Sequence, residues 1–225
     1  MRVSVIIAAL NEQANIRAAI DSAQQAGADE ILVADGGSAD DTVRLATSSG
    51  ASVVTSLPGR AIQQNAGVAA SSGDVLLFLH ADCRLSLRCI PQIRELDCRF
   101  TFGAFRQKID ATPLIYRLVE RGNDLRVRWL GMPYGDQAIA VRRDTFEAAG
   151  RFAEVPFLED YLLSQTLKRR HWPTLLRGPV YTSARRWQQR GVVRQTLLNW
   201  RLIAAYRRGV PIEELAKQYR RHDQK

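Results

Sequence analysis

The sequence predicts an α/β fold: a mostly parallel sheet flanked by helices, with an amphipathic helical segment at the C-terminal end. Three observations predict it. Short apolar runs alternate with helical periods from Val3 to His80. The connections between them are short, which implies parallel strands joined by right-handed crossovers. Polar residues gather where the strands stop.

The elements follow in order. "VSVIIAA" (Val3 to Ala9) is a short apolar run rich in β-branched residues, the pattern of a strand buried on both faces. "NEQANIR" follows it at once with no small-residue cleavage site, so the segment reads as a strand and not as a signal peptide. "NEQANIRAAIDSAQQAG" carries apolar residues at Ile16, Ala19, Ile20 and Ala23, helical spacing that stops at Gly27. "EILVAD" is a second buried strand. "SADDTVRLATSSG" is a helix with Ser38 as its candidate cap and Gly50 as its stop. "ASVVTS", "GRAIQQNAGVAASSG" and "DVLLFLH" continue as strand, helix and strand. The second half is less regular. Residues 99–109 alternate as a strand. "PLIYRLVERGNDLRVRWL" reads as a helix broken near Gly122. "DQAIAVRR" is a strand, "DTFEAAG" a short helix, "EDYLLSQTLKRR" a helix, and "PTLLRGPVYTS" contains a strand. In "VVRQTLLNWRLIAAYRR", Val193, Leu197, Trp200, Ile203 and Ala204 recur with the period of an amphipathic helix, and "PIEELAKQYRRH" is a second one opened by Pro211.

Composition sets the bounds. With 225 residues, 46% of them hydrophobic, the chain can bury a sizeable core and reads as one domain, 1–225, in three parts: 1–98, 99–187 and 188–225. No stretch reaches the ~18 consecutive apolar residues of a membrane-spanning helix. Cys83, Cys89 and Cys98 are odd in number and form no CxxC pair, so reduced thiols and a cytoplasmic location are expected instead of a disulfide frame or a zinc site. The net charge is +9, and from Arg185 to Lys225 eleven Lys and Arg face three Asp and Glu. A nearly neutral body with a basic tail implies either an anionic partner, such as the inner membrane surface, or a solvated terminal helix.

The strand ends carry the chemistry. The first strand runs into Asn11 and Glu12, the second ends at Asp35 before Gly36, Gly37 and Ser38, and the fourth ends in His80, Ala81 and Asp82. One acidic strand end is ordinary turn chemistry. Three on one edge cost Coulomb repulsion unless a cation or a donor is present. Glycine is absent from "AALNEQAN", so the dinucleotide cradle is missing, and no GxxxxGK[ST] loop occurs. A nucleotide can instead be held by its base and ribose: Asp35 can accept from a pyrimidine imide, Glu12 from a ribose hydroxyl, and Asp82 can hold Mg²⁺ or Mn²⁺ beneath the diphosphate. Acidic strand ends also argue against a nucleic-acid-binding module, which needs a basic or aromatic face.

"VSVIIAALNE", "ILVADGGSADDT", "GRAIQQNAG" and "GDVLLFLHAD" resemble the N-terminal half of a family 2 glycosyltransferase of GT-A fold. "GDQ", "FLED" and "RRW" are similar to that family's acceptor-side motifs. Within it the chain looks most like the subgroup labelled arsenosugar-biosynthesis-type glycosyltransferases. The resemblance implies a nucleotide-binding half followed by an acceptor half, a sugar donor linked to a nucleoside diphosphate (UDP foremost), and Mg²⁺ or Mn²⁺ as cofactor. It implies that Glu12 and Asp35 bind the nucleotide, that Arg60 and Asn65 face the diphosphate or ribose, and that Asp82 is the metal ligand. His80 stands where many relatives have a first Asp; it implies a hydrogen bond to ribose or diphosphate, or simply a neutral, satisfied side chain.

An inverting transfer needs a base opposite the leaving diphosphate. "FLEDYLL" supplies Glu159 and Asp160 at a helix start, where acidic residues also complement the helix dipole; the resemblance favours Asp160 as base. Like charge on Glu159 pushes its pKa up and the helix N-terminus pulls it down. "YGDQAIA" places Asp136 and Gln137 beside Gly135, either a loop approaching sugar or acceptor or a plain turn. In "ARRW", Arg186 can clamp diphosphate and Trp187 can stack on an acceptor sugar or pack beneath the last helices; Ser183 replaces the glutamine of the related motif. A nucleotidyltransferase is the competing enzyme reading, but "LNEQAN" lacks its Gly- and Arg-rich loop.

Overall fold

The computed structural model describes residues 1–223, with the side chains of 186, 189, 190 and 220–223 outside that description. In chain order the elements are β1 (Val3–Ala9), α1 (Ile16–Gln25), β2 (Glu30–Asp35), α2 (Thr42–Ser48), β3 (Ser52–Thr55), α3 (Arg60–Ala69), β4 (Val75–His80), β5 (Cys83–Leu85) and α4 (Cys89–Leu96). There follow β6 (Phe102–Ile109), α5 (Leu114–Leu130), β7 (Ala140–Arg142), α6 (Arg143–Ala148), α7 (Glu159–Leu167), β8 (Thr174–Thr182), α8 (Arg185–Arg190), α9 (Val192–Arg207) and α10 (Ile212–Asp223).

One sheet runs through both halves in the order β3-β2-β1-β4-β7-β6-β8-β5. The first four strands are parallel, as expected, and β6 pairs β8 in the same sense. β7 is antiparallel to both β4 and β6, and β5 to β8, so the sheet as a whole is mixed. The buried strands divide their side chains by the period of two. Val3, Val5, Ile7, Val75, Leu77 and Leu79 meet Ile16 and Ile20 of α1 and Ile90 and Ile93 of α4 on one face. Ile6, Leu76 and Phe78 meet α3, α6 and α7 on the other, where Phe78 lies 5.3 Å from the Phe146 ring and 4.7 Å from that of Phe152. Helices on both faces are why these strands read as unbroken apolar runs.

The carboxyl ends of β1, β2 and β4 align. Ala8 lies opposite His80 and Ala9 opposite Asp35. Gln63 of α3, itself buried, fixes this edge by donating to the carbonyls of Ala9 (2.7 Å) and Ala34 (2.9 Å).

Several expectations change. Ser38 does not cap a helix: its hydroxyl donates to Asp35 and accepts the Asn11 N–H, because the Asp35 turn comes first and α2 begins only at Thr42. α5 passes through Gly122 unbroken. Gly135–Gln137 is a 3₁₀ turn, leaving β7 only three residues. β5, α4 and α8 lie in segments without a clear period. In α9 the apolar residues read from the sequence divide: Val193, Leu197 and Trp200 are exposed, Ile203 and Ala204 are half-buried, and Gln195 and Leu202 are buried. Among the described residues no helix is long and apolar enough to cross a membrane.

The β6–β8 pairing depends on a glycine. A Cβ on Gly103 would lie 2.1 Å from the Thr174 carbonyl oxygen. Gly103→Ala is therefore expected to destabilise the fold by about 1–3 kcal/mol, measured by chemical denaturation.

Candidate active site

Beyond the sheet edge lies a pocket whose acidic side is formed by His80, Asp82, Asp136, Glu159 and Asp160, with Arg60 beside them. Four elements deliver them. β4 carries His80, and its turn into β5 carries Asp82. The 3₁₀ turn before β7 carries Asp136, and the first turn of α7 carries Glu159 and Asp160. Leu158, directly before α7, adopts φ 67°, and Ala138, directly after the turn, φ 50°. Left-handed backbone at non-glycine residues is strained, and here it aims both acidic segments inward.

Gly135 joins these segments. Its N–H donates to Asp160 Oδ2 at 2.7 Å. A Cβ there would stand 2.6 Å from His80 Nε2 and 3.3 Å from Asp160 Oδ2, so the backbone threads between imidazole and carboxylate. The sequence left open a close approach to ligand or a plain turn; the close neighbours of this glycine are two side chains of the site.

Asp160 titrates high. Burial, then the charge of Glu159, push it up to about 6, against the opposing pull of the Gly135 N–H and Arg60. Glu159 is itself buried and held by Arg60 at 2.9 Å, which raises the pKa of that guanidinium. The contest left open by the sequence is thus decided for burial and like charge.

Asp136 sits on a polar chain. Gln107 donates to Asp136 Oδ2 and to Thr182 Oγ1, both at 3.1 Å, and Asn123 of α5 donates to Gln107 Oε1 at 2.6 Å. Arg126 holds Asn123 (3.0 Å) and Gln137 (2.7 Å) and lies 3.6 Å from the centre of the Tyr134 ring. The other carboxylate oxygen of Asp136, Oδ1, is buried with no hydrogen-bond partner among the described residues. His80, Asp82 and Cys83 bring donor atoms within 4.8 Å of one another. Burial, then the charges of Asp82 and Asp136, push the Cys83 thiol well above its usual range, and its Sγ lies 3.7 Å from Asp82 Oδ1 and 3.8 Å from Thr182 Oγ1. Asp82 and the unpartnered Asp136 oxygen are hard oxygen donors, a set that fits Mg²⁺ or Mn²⁺.

A model of glycosyl transferase family 2 matches residues 4–152. The chain belongs to that family. Curated relatives of this glycosyltransferase include glucosyl-3-phosphoglycerate synthase from two strains of Mycobacterium tuberculosis, each 39% identical over 92 residues, 36% of this chain and 28% of the relative. The chain thus matches little more than a quarter of their length. Among solved structures, glucosyl-3-phosphoglycerate synthase from Mycobacterium tuberculosis in complex with Mn²⁺, UDP and phosphoglyceric acid superposes with a TM-score of 0.62 at 23% identity, covering 93% of this chain and 79% of that one. S. aureus TarS in complex with UDP-GlcNAc gives 0.64 at 15%, covering 81% and 58%. At such identities the likeness establishes the GT-A fold.

The glycosyltransferase brings together most of the residues singled out in its sequence. Arg60, His80, Asp82, Asp136, Glu159, Asp160 and Trp187 all line the pocket. Others stand apart. Asp35 is buried and turns its carboxylate to the N–H groups of Gly37 (2.9 Å) and Ser38 (3.0 Å), and Glu12 accepts from Asn15 at 2.8 Å. Both share the sheet edge with Asp82 but not the pocket wall, so the expected single carboxylate cluster is two groups. Asn65 faces neither diphosphate nor ribose; its amide donates to and accepts from the backbone of Phe152. Gln137 is fully buried between Arg126 and the Phe105 carbonyl, with no reach to a ligand. The side chain of Arg186 lies outside the described residues. Trp187 lines the pocket and packs edge-on against Tyr116 of α5, 6.4 Å between centroids. Sequence reasoning missed the aromatic wall of Tyr134, Phe157 and Tyr219 and the polar pair Gln195 and Asn199. Tyr219 reaches Phe157 from α10 in a stack 4.6 Å apart, a contact no local pattern announces.

A carbon-detected NMR titration should place the Asp160 carboxyl midpoint near 6, and Glu159→Gln should lower it by removing the like charge. Because the folded state binds this proton more tightly than the unfolded chain, the contribution of Asp160 to stability should rise as pH falls through about 6.

Proposed function

We propose that the chain moves a sugar from a UDP-linked donor to an acceptor hydroxyl with inversion, Asp160 serving as the base. The observation that carries this reading is a carboxyl whose pKa is raised to about 6, buried in the same pocket as Asp82 and Asp136. A base poised near the working pH is ionised yet still basic enough to take a proton in the transition state. Its support from the comparisons is that related enzymes are captured with UDP or UDP-GlcNAc and, for the synthase, with Mn²⁺ or Mg²⁺.

The steps for this chain's own residues follow. The Gly135 N–H fixes the Asp160 carboxylate in orientation without consuming all its lone pairs. As the acceptor oxygen bonds to the anomeric carbon, its proton passes to Asp160, and the bond from that carbon to the diphosphate oxygen breaks. Arg60 neutralises Glu159, so that the second carboxylate raises the basicity of the first without repelling the donor outright. Asp82, with Asp136 as the second carboxylate, would hold Mg²⁺ or Mn²⁺, which when bound would neutralise charge developing on the leaving UDP. Asp35 and Glu12, on the neighbouring strand ends, are assigned to the uracil and the ribose. The aromatic wall with Trp187 is assigned to the acceptor side.

Asp82→Ala should abolish Mn²⁺-dependent UDP binding, read by calorimetry, and with it all transfer. Asp160→Asn should keep UDP binding and lose about 10²–10⁴-fold in kcat. In the wild type kcat/KM should rise with pH through a limb near 6, and Glu159→Gln should move that limb to lower pH. Full turnover by Asp160→Asn would relocate the base.

A further inference from the structure

We propose that the outer faces of α5 and α9 are a docking surface for an anionic lipid bilayer. Each helix is apolar on two sides. On α5 the inner side buries Tyr116 and Val127, while Leu114, Leu118, Leu125 and Trp129 form an outer stripe, with Leu118 65% and Trp129 75% exposed. The spacing of these four residues is that of one helix face, and Gly122 fills the gap in it with open space around it. Trp172 extends the stripe, its indole N–H donating to the Arg128 carbonyl at 3.2 Å and its ring lying against Gly131. On α9 the inner side buries Gln195 and Leu202, and Val193, Leu197 and Trp200 (67% exposed) face out. One cluster holding Tyr116, Val119, Trp187 and Val192 joins α5 to the start of α9. Exposed apolar surface on this scale, three tryptophans included, marks a surface that is covered in use.

The charge around the stripes decides what covers it. The two acids of α5, Glu120 and Asp124, are ion-paired with Arg117 and Arg106, whereas Arg121 and Arg128 are exposed. α9 has no Asp or Glu from Val192 to Arg207, and its Arg194 and Arg201 are exposed beside Leu197 and Trp200. Apolar side chains interleaved with arginines match an interface whose headgroups are negative and whose interior is hydrocarbon: the aliphatic residues and indoles insert, and the guanidiniums reach back to phosphate. A second copy of the chain, with its charge of +9, would bring arginines against arginines. A nucleic acid would leave the leucines and valine of the stripes without a partner. The same α9 presents Gln195, Asn199 and Ile203 to the pocket, so a docked helix separates the bilayer from the site by its own thickness.

The test is co-sedimentation with vesicles of phosphatidylglycerol and phosphatidylcholine at low salt, compared with phosphatidylcholine alone. The wild type should partition to the anionic vesicles only. Leu197→Glu with Trp200→Glu, and separately Leu118→Glu with Trp129→Glu, should each weaken partitioning by about tenfold or more. Mn²⁺-dependent UDP binding and the thermal midpoint should stay at wild-type values, because these side chains lie outside both pocket and core. Wild-type partitioning by both double variants overturns the proposal, as does a wild type that ignores anionic vesicles. A lipid-free dimer in sedimentation velocity that both double variants dissolve also overturns it and assigns the surface to a second copy. Loss of UDP binding in the wild type would count against the proposed transfer and leave the vesicle result to stand by itself.

Discussion

The site depends on one close approach, the passage of Gly135 between the His80 imidazole and the Asp160 carboxylate. Three segments far apart in sequence meet there: the end of a buried strand, a 3₁₀ turn and the first turn of a helix. No side chain fits at that point, since even a methyl group would stand 2.6 Å from the ring nitrogen. The backbone N–H does what a side chain cannot. It holds one oxygen of Asp160 at 2.7 Å, and so ties the acidic helix start to the strand edge. The strain at Leu158 and Ala138 is sustained by this packing, which leaves both residues buried with no other course for the chain.

Around this contact the electrostatics divide labour between adjacent carboxylates. Glu159 is ion-paired with Arg60 in the pocket wall; Asp160 beside it is buried, crowded by the Glu159 charge and left basic. Such a site costs stability, because an ionised Asp160 opposes folding at neutral pH, and the large apolar core on both faces of the sheet offsets that cost.

Much of the architecture was legible in the chain. β1, β2 and β4 are apolar on both faces and β-branched, and their polar ends fall where the register puts them. The family motifs led directly to Asp82, Asp136 and Asp160. What failed did so for physical reasons. Asn65 and Gln137 look like ligand contacts by position, but each satisfies buried backbone or a buried arginine, a demand set by residues 87 and 11 positions away. Asp35 is oriented at its strand end by the Gly37 N–H and the Ser38 hydroxyl, an arrangement that a strand-end acid does not announce. In α9, periodicity found the amphipathic helix but not its orientation: Val193, Leu197 and Trp200 lie outside while Ile203 turns to the pocket, since a period does not say which direction is inward. Tyr219 and Phe157 meet only because α10 folds back, and nothing local encodes that.

The polar chain under Asp136 has a mechanical meaning. Asn123 and Arg126 sit one turn apart on the inner side of α5, and through Gln107 and Gln137 they set the height of the turn that carries the acid. A slip of this helix by a single residue, about 1.5 Å along its axis, would break the 2.6 Å link from Asn123 and let the acidic turn drift. α5 is therefore a keystone with its teeth facing inward: whatever presses on its outside is passed, three hydrogen bonds later, to the acid at the pocket floor.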